Sequence, residues 1–264
     1  MKFYVGTDHP SWLWKDPISY PLFVSHRALG RYKSYKQSSL PWALDSGGFT
    51  ELNLFGTWVT SAETYASNIR RFQSEIGNLD WAAPQDWMCE PQVLAKTGKT
   101  VLQHQRLTID NFVHLRTIAA DLPIIPALQG WDPDDYLRHR DLYAVAGIDL
   151  TKERTVGMGT FCRRASLRPV QRIVRELFDD GLKMHGFGVK SDGLPAIGGL
   201  LASADSMAWS FSARRAGQNL CGQPHRSPRC HHCRTWATIW ADRTTSRIGS
   251  RPIQMELDVY EPAV

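Results

Sequence analysis

Trp42-Ala43-Leu44-Asp45-Ser46-Gly47-Gly48-Phe49 joins three apolar residues to an acid and then to two glycines that turn the chain. A buried parallel strand ending this way presents a carboxylate at its carboxyl edge, where α/β enzymes keep their chemistry. Asp before a turn occurs in every fold, so the weight of the pattern lies in its recurrence. Short apolar runs fall at residues 3–7, 22–25, 42–45, 79–85, 123–129, 155–159, 183–189 and 206–211. Several are continuously apolar or small, as strands buried on both faces require.

Helical signals separate the runs. Thr60 and Glu63 have capping-box spacing ahead of Tyr65, Ile69, Phe72 and Ile76. Asp132-Pro133 reads as an N-cap with Pro at the first helical position. Val170, Ile173, Val174, Leu177 and Phe178 form an apolar stripe that stops near Gly181. Eight strands alternating with helices most simply close into an α/β fold of the (β/α)8 TIM-barrel type. An open doubly wound sheet is the alternative, and no phosphate-binding glycine fingerprint supports it. The expected division is a catalytic barrel over residues 1–215 and a small zinc-binding, arginine-rich segment over 216–264, packed on the barrel.

The formal net charge is +5, and its distribution is uneven. Residues 210–251 hold eight arginines, no lysine and a single acid, Asp242. Such a stretch suits phosphate oxygens, which match the guanidinium fork, or a solvated face without a partner. No apolar run approaches the ~20 residues that span a bilayer, and the amino end lacks a signal-peptide layout. A cytoplasmic protein without membrane contact is expected.

Strand ends converge on one mouth in a barrel. Asp45-Ser46-Gly47-Gly48, Gln85-Asp86-Trp87, Gln129-Gly130-Trp131, Gly157-Met158-Gly159 and Gly186-Phe187-Gly188 follow successive runs, while the last run is entered from Asp205. Carboxylates and amides match the donor and acceptor edge of a purine, and aromatic rings match its faces. Cys221, His225, Cys230 and Cys233 have the spacing C-x3-H-x4-C-x2-C, a donor set for tetrahedral structural zinc. Cys89 and Cys162 lack a neighbouring histidine base and read as core thiols; Arg163 and Arg164 follow the sixth strand, at the pocket mouth or in an exposed loop. His26, His104, His114, His139 and His185 read as scattered helix or core residues.

The order Asp-Ser-Gly-Gly-Phe, an acid after a strand, Leu-Gln-Gly, a glycine pair, Gly-Phe-Gly-Val and an Asp-Ser segment resembles the guanine transglycosylases. These are zinc-containing barrel enzymes that exchange guanine in nucleic acid for a 7-deazaguanine. The segments at 81–89 and 205–210 are more similar to the deazapurine DNA-modification (DpdA-like) branch than to the tRNA enzymes. The resemblance implies Asp45 as general acid/base and Asp205 as its catalytic partner. It implies that Phe49 and Phe187 sandwich the base while Asp86, Gln129 and Gly130 read its edge. Ser46, Gly47, Gly157, Met158 and Gly188 would complete the binding surface. The tRNA enzymes carry their nucleophile three residues after the position of Asp205, where this chain has Ala208; Asp205 is taken as the nucleophile, with Asp86 next.

The implied activity is a double displacement that replaces guanine in DNA by a 7-deazaguanine, with DNA and the free base as partners, structural zinc, and accessory DNA-modification proteins. The rival readings are a tRNA-guanine transglycosylase, a DNA glycosylase, and a zinc-stabilised nucleic-acid binder without activity.

Overall fold

The computed structural model describes residues 1–15, 18–159, 168–225 and 229–250; Cys162, Arg163 and Arg164 lie outside them. Eight strands form a single parallel sheet: β1 (Lys2–Thr7), β2 (Leu22–Ser25), β3 (Trp42–Asp45), β4 (Leu79–Ala82), β5 (Ala127–Leu128), β6 (Val156–Met158), β7 (Met184–Gly186) and β8 (Ser203–Ser206). Their order is β4-β3-β2-β1-β8-β7-β6-β5. Ten α-helices lie among the described residues: α1 (His26–Leu29), α2 (Gly48–Phe55), α3 (Ala62–Ile76), α4 (Pro91–Thr97), α5 (Val101–Ile118), α6 (Pro133–Val145), α7 (Arg168–Asp179), α8 (Leu194–Ile197), α9 (Ala208–Ala216) and α10 (Arg234–Thr245). None of them is long and apolar enough to cross a membrane.

Strand alternation sorts the core into two layers. Phe3 and Val5, Leu22 and Val24, and Trp42 and Leu44 belong to the large cluster beneath the helices. Their neighbours Tyr4, Phe23 and Ala43 join Trp81, Ala83 and Ile125 in a separate cluster on the other face. That second face is concave. Trp81 on β4 and His185 on β7 bring their ring centroids to 4.5 Å, although four strands lie between theirs in the sheet order. In a flat sheet the strand spacing would hold them about 24 Å apart. The sheet edges meet as well: Ala82 bridges Ile124 in parallel, Ala82 N donates to Pro123 O at 3.0 Å and Ile125 N donates to Ala82 O at 3.1 Å.

The last strand differs from expectation. Residues 206–211 do not form it; β8 ends at Ser206 and α9 starts at Ala208. Trp209 and Ala213, four apart, are both buried, whereas Phe211 is exposed. Helical spacing (i, i+4) therefore governs a stretch that reads as strand when only its apolar content is counted. Asp205 consequently lies within β8, and Ala208 is the first residue of a helix. The cap of α3 also shifts: Ser61 accepts from Thr64 N at 3.2 Å, because Thr60 donates its hydroxyl to the buried Glu51 at 2.6 Å. The Asp132-Pro133 start of α6 stands as read, with Asp135 Oδ2 accepting from Asp132 N at 2.9 Å.

The helix α10 packs on β1, α8 and α9. Trp240 reaches Phe3, with centroids 6.2 Å apart, and Trp236 Nε1 donates to Trp209 O at 3.0 Å. The end of the described chain is thus fastened to the outer face of the sheet.

Candidate active site

At the carboxyl ends of the strands lies a cavity of about 310 Å³ whose wall includes Asp45, Asp86, Gln129 and Asp205. Two residues along β3 from the inward Ala43, Asp45 falls on the concave face by strand period. It lies opposite Ser25 in register. Burial pushes its carboxyl pKa up, and the charge of Asp205 pushes the same way, against hydrogen bonds from the Gly47 backbone and the Ser25 side chain. Gly47 adopts φ +82°, a left-handed turn that a side chain would strain. A Cβ there would also meet Arg27 Cγ at 2.9 Å. The turn leads into α2, which sets Phe49 on the cavity wall.

Asp86 is buried, and burial raises its pKa to about 7; a hydrogen bond from Gln129 opposes the rise and the charge of Asp45 adds to it. Gln129 donates Nε2 to Asp86 Oδ2, its backbone N–H donates to His139 Nδ1 at 2.8 Å, and its carbonyl accepts from Gln105 Nε2 at 2.8 Å. The amide lies directly over Gly159, where a Cβ would sit 2.0 Å from Gln129 Nε2. A carboxyl poised near neutrality beside a fixed amide can both accept and donate to a heterocycle.

Asp205 is held from below and from the side. Its Oδ1 accepts from Gly188 N at 2.9 Å and lies 3.2 Å from His185 Nε2. His185 Nδ1 is 2.8 Å from Ser203 Oγ. Burial lowers the His185 pKa, while the hydrogen bond to Asp205 pulls the other way. The His185 ring is a buried core residue, as expected, and in addition has a defined partner at the site. Tyr4, Phe23, Trp81 and His185 pack edge-on or tilted beneath the cavity, with centroids between 4.5 and 5.8 Å.

Eight of the expected residues line this one cavity: Asp45, Ser46, Phe49, Asp86, Gln129, Phe187, Gly188 and Asp205. Gly47, Gly130, Gly157 and Met158 are not among the lining residues. Gly157 has a steric task, because a Cβ would come within 2.4 Å of the Phe187 ring. Met158 is buried in the outer core. Gly130 abuts α6, where a Cβ would lie 2.7 Å from Asp135 Cβ. Asp8, Ser25, Glu90 and Met207 also line the cavity and escape the sequence reading. Asp8 follows β1 just as Asp45 ends β3, so the same strand-end rule finds it.

A second cluster lies in the segment before α10. One donor atom from each of Cys221, His225, Cys230 and Cys233 falls within 4.8 Å of the others, and the four could hold a metal ion. Cys221 Sγ and Cys233 Sγ are 3.7 Å apart, close to the edge of about 3.8 Å of a tetrahedron with 2.3 Å metal–sulfur bonds. Backbone N–H groups of Leu220, Gln223 and Trp236 point at the three sulfurs from 3.1 to 3.5 Å, as outer-shell donors to thiolates do. The residues fit the group. Cys89, in contrast, is buried and its thiol pKa is pushed up by that burial, which leaves it unreactive.

No curated protein matches the chain. Among solved structures, the YdjI aldolase from Escherichia coli K12 aligns at 12% identity over 94% of this chain and 91% of that one, with a TM-score of 0.43. The family model DpdA, DeoxyPurine in DNA protein A, matches residues 1–254, and the chain belongs to that family.

Proposed function

We propose that the protein is a base-exchange enzyme of DNA, replacing guanine by a 7-deazaguanine such as a cyano-bearing one, on a (β/α)8 TIM-type barrel with a structural zinc in the Cys221/His225/Cys230/Cys233 cluster. Family membership supports the deazapurine and DNA parts of this reading. One observation carries the chemistry: Asp45, Asp86, Gln129 and Asp205, from four different strand ends, line a single cavity.

In the first half-reaction an oxygen of Asp205 attacks C1′ of the deoxyribose and the C1′–N9 bond breaks. The raised pKa of Asp45 suits it to give its proton to the departing guanine. The sugar is held meanwhile as a glycosyl ester on Asp205. In the second half the incoming base loses its N9 proton to Asp45 and attacks C1′, which frees the Asp205 carboxylate. Gly188 N–H and His185 both engage Oδ1, and this leaves Oδ2 for the attack. Asp86 and Gln129 read the base edge, with Phe187 and Phe49 on its faces. The base must leave the duplex first, at a cost of a few kcal/mol that ring contacts and edge hydrogen bonds offset. Cys221, His225, Cys230 and Cys233 would hold the zinc, which would tie down the segment that packs on β1 and supply no chemistry to these steps.

The test incubates the protein with a labelled 7-deazaguanine and either DNA or tRNA, with and without cell extract to supply accessory proteins. Label in DNA is expected. Label in tRNA alone would transfer the reaction to the other polymer, and abasic DNA would indicate a glycosylase. Asp205→Ala should abolish both exchange and any covalent protein–DNA adduct, a loss of ~10⁴-fold or more; an adduct that persists would exclude Asp205 as nucleophile.

A further inference from the structure

We propose that Asp8, His9 and His232 form a second divalent-metal site, at the rim of the cavity and separate from the cysteine cluster. One donor atom from each of the three falls within 4.8 Å of the others. The three come from two elements that only the fold brings together. Asp8 and His9 follow β1 directly, and the turn is fixed by His9 N donating to Thr7 Oγ1 at 3.0 Å. His232 sits between Cys230 and Cys233, in a turn closed by Cys233 N donating to Cys230 O at 3.0 Å. That turn brings the His232 ring to His9, edge to face at 4.6 Å. His9 is in turn steadied by stacking on Trp12 at 5.7 Å.

His9 Nε2 lies 3.3 Å from Asp8 Oδ1 and 2.6 Å from His232 Nδ1. Two imidazoles and one carboxylate are the donor set of open sites for Zn²⁺ and similar borderline cations. The imidazole pair is now at hydrogen-bond distance and shares a proton. A bound cation would take a lone pair from each ring, the shared N–H moving to the other nitrogen of its own imidazole, and would open the pair by roughly 0.7 Å, to the ~3.3 Å edge that metal–nitrogen bonds of about 2.0–2.1 Å require. Three protein donors leave at least one coordination position for an oxygen ligand. Asp8 also lines the cavity, so that position faces the mouth, where a phosphate oxygen of a bound polynucleotide or a water would complete it. The sulfur cluster is closed by four protein donors, whereas this site is open by one. It stands whether or not base exchange is the reaction.

Metal content separates the possibilities. The full chain, saturated with Zn²⁺ and freed of loosely held ion, should carry about two equivalents. His9→Ala, which leaves the cysteine turn untouched, and Asp8→Asn should each lower this to about one without altering the thermal melt by more than a few degrees. Titration with Co²⁺ gives a second readout: the cysteine cluster shows sulfur-to-cobalt charge transfer, and the added site should fill without increasing that band. One equivalent in the unaltered protein, or two retained in His9→Ala, would overturn the proposal.

Discussion

The cavity and the cysteine cluster are assembled in opposite ways. The cavity collects Asp8, Asp45, Asp86, Gln129 and Asp205 from turns and strands spread over most of the chain, and no two of its aspartates are near neighbours in sequence. The cluster takes all four donors from residues 221–233. A site of the first kind is specified by the sheet: its geometry is inherited from strand register, and it exists only when long-range pairing is complete. A site of the second kind is specified by local spacing and can hold its own segment together once a metal is bound. The two regions should therefore fail independently.

Stripping the proposed metal from the cysteine cluster probes this most severely. Chelation, or Cys230→Ser, should destabilise the chain by about 4–5 kcal/mol or more. The loss should show first as lost amide protection over residues 216–250, with β1 to β8 still protected. Simultaneous loss of sheet protection in hydrogen exchange would mean that the regions form one cooperative unit.

A smaller effect is expected within the cavity, where Asp86 has its folded pKa raised to about 7 by burial, against ~3.9 for an unfolded aspartate. The folded state binds that proton more tightly. Its stabilising contribution is therefore complete below about pH 4 and is lost as pH rises through about 7. The amount is at most about 4 kcal/mol, and water in the cavity reduces it to roughly half. Asp86→Asn should flatten the dependence of denaturant stability on pH between 4 and 7 and stabilise the protein at pH 8. An unchanged slope would show that Asp86 titrates normally and that the cavity is wetter than its walls suggest.

Smallest of the three is Gly157→Ala. The new methyl must displace the Phe187 ring, from which it would be 2.4 Å, at a cost of about 1–3 kcal/mol. Base affinity should fall more than stability, because Phe187 lies on the cavity wall while the outer core is untouched. Equal binding by the variant and the parent protein would remove Phe187 as a stacking face.

The same contrast explains what the sequence made legible. The strands β2 and β3 and the start of α6 coincide with their signals, since each depends on nearest neighbours: apolar runs, a glycine turn, an Asp-Pro cap. The cysteine motif needed only its spacing. Residues 206–211 misled because a tryptophan and a phenylalanine raise strand propensity equally whether they face the same side or not, and only packing shows that Phe211 is outside. Thr60 lost its capping role to Glu51, a partner nine positions away. His185 offered no local signal at all. Its contact with Asp205 spans twenty residues and arises from the parallel pairing of β7 with β8. Gly157 and Met158 take a binding role from the resemblance alone; what the fold adds is that Gly157 lies against a neighbouring ring, that of Phe187.

The packed rings of Tyr4, Phe23, Trp81 and His185 have a kinetic corollary. They stop the bottom of the chamber like a cork, so whatever heterocycle enters has to depart by the same doorway. Two bases cannot pass one another there, and an exchange reaction run in such a blind alley must be taken in turns, with the first product gone before the second reactant arrives.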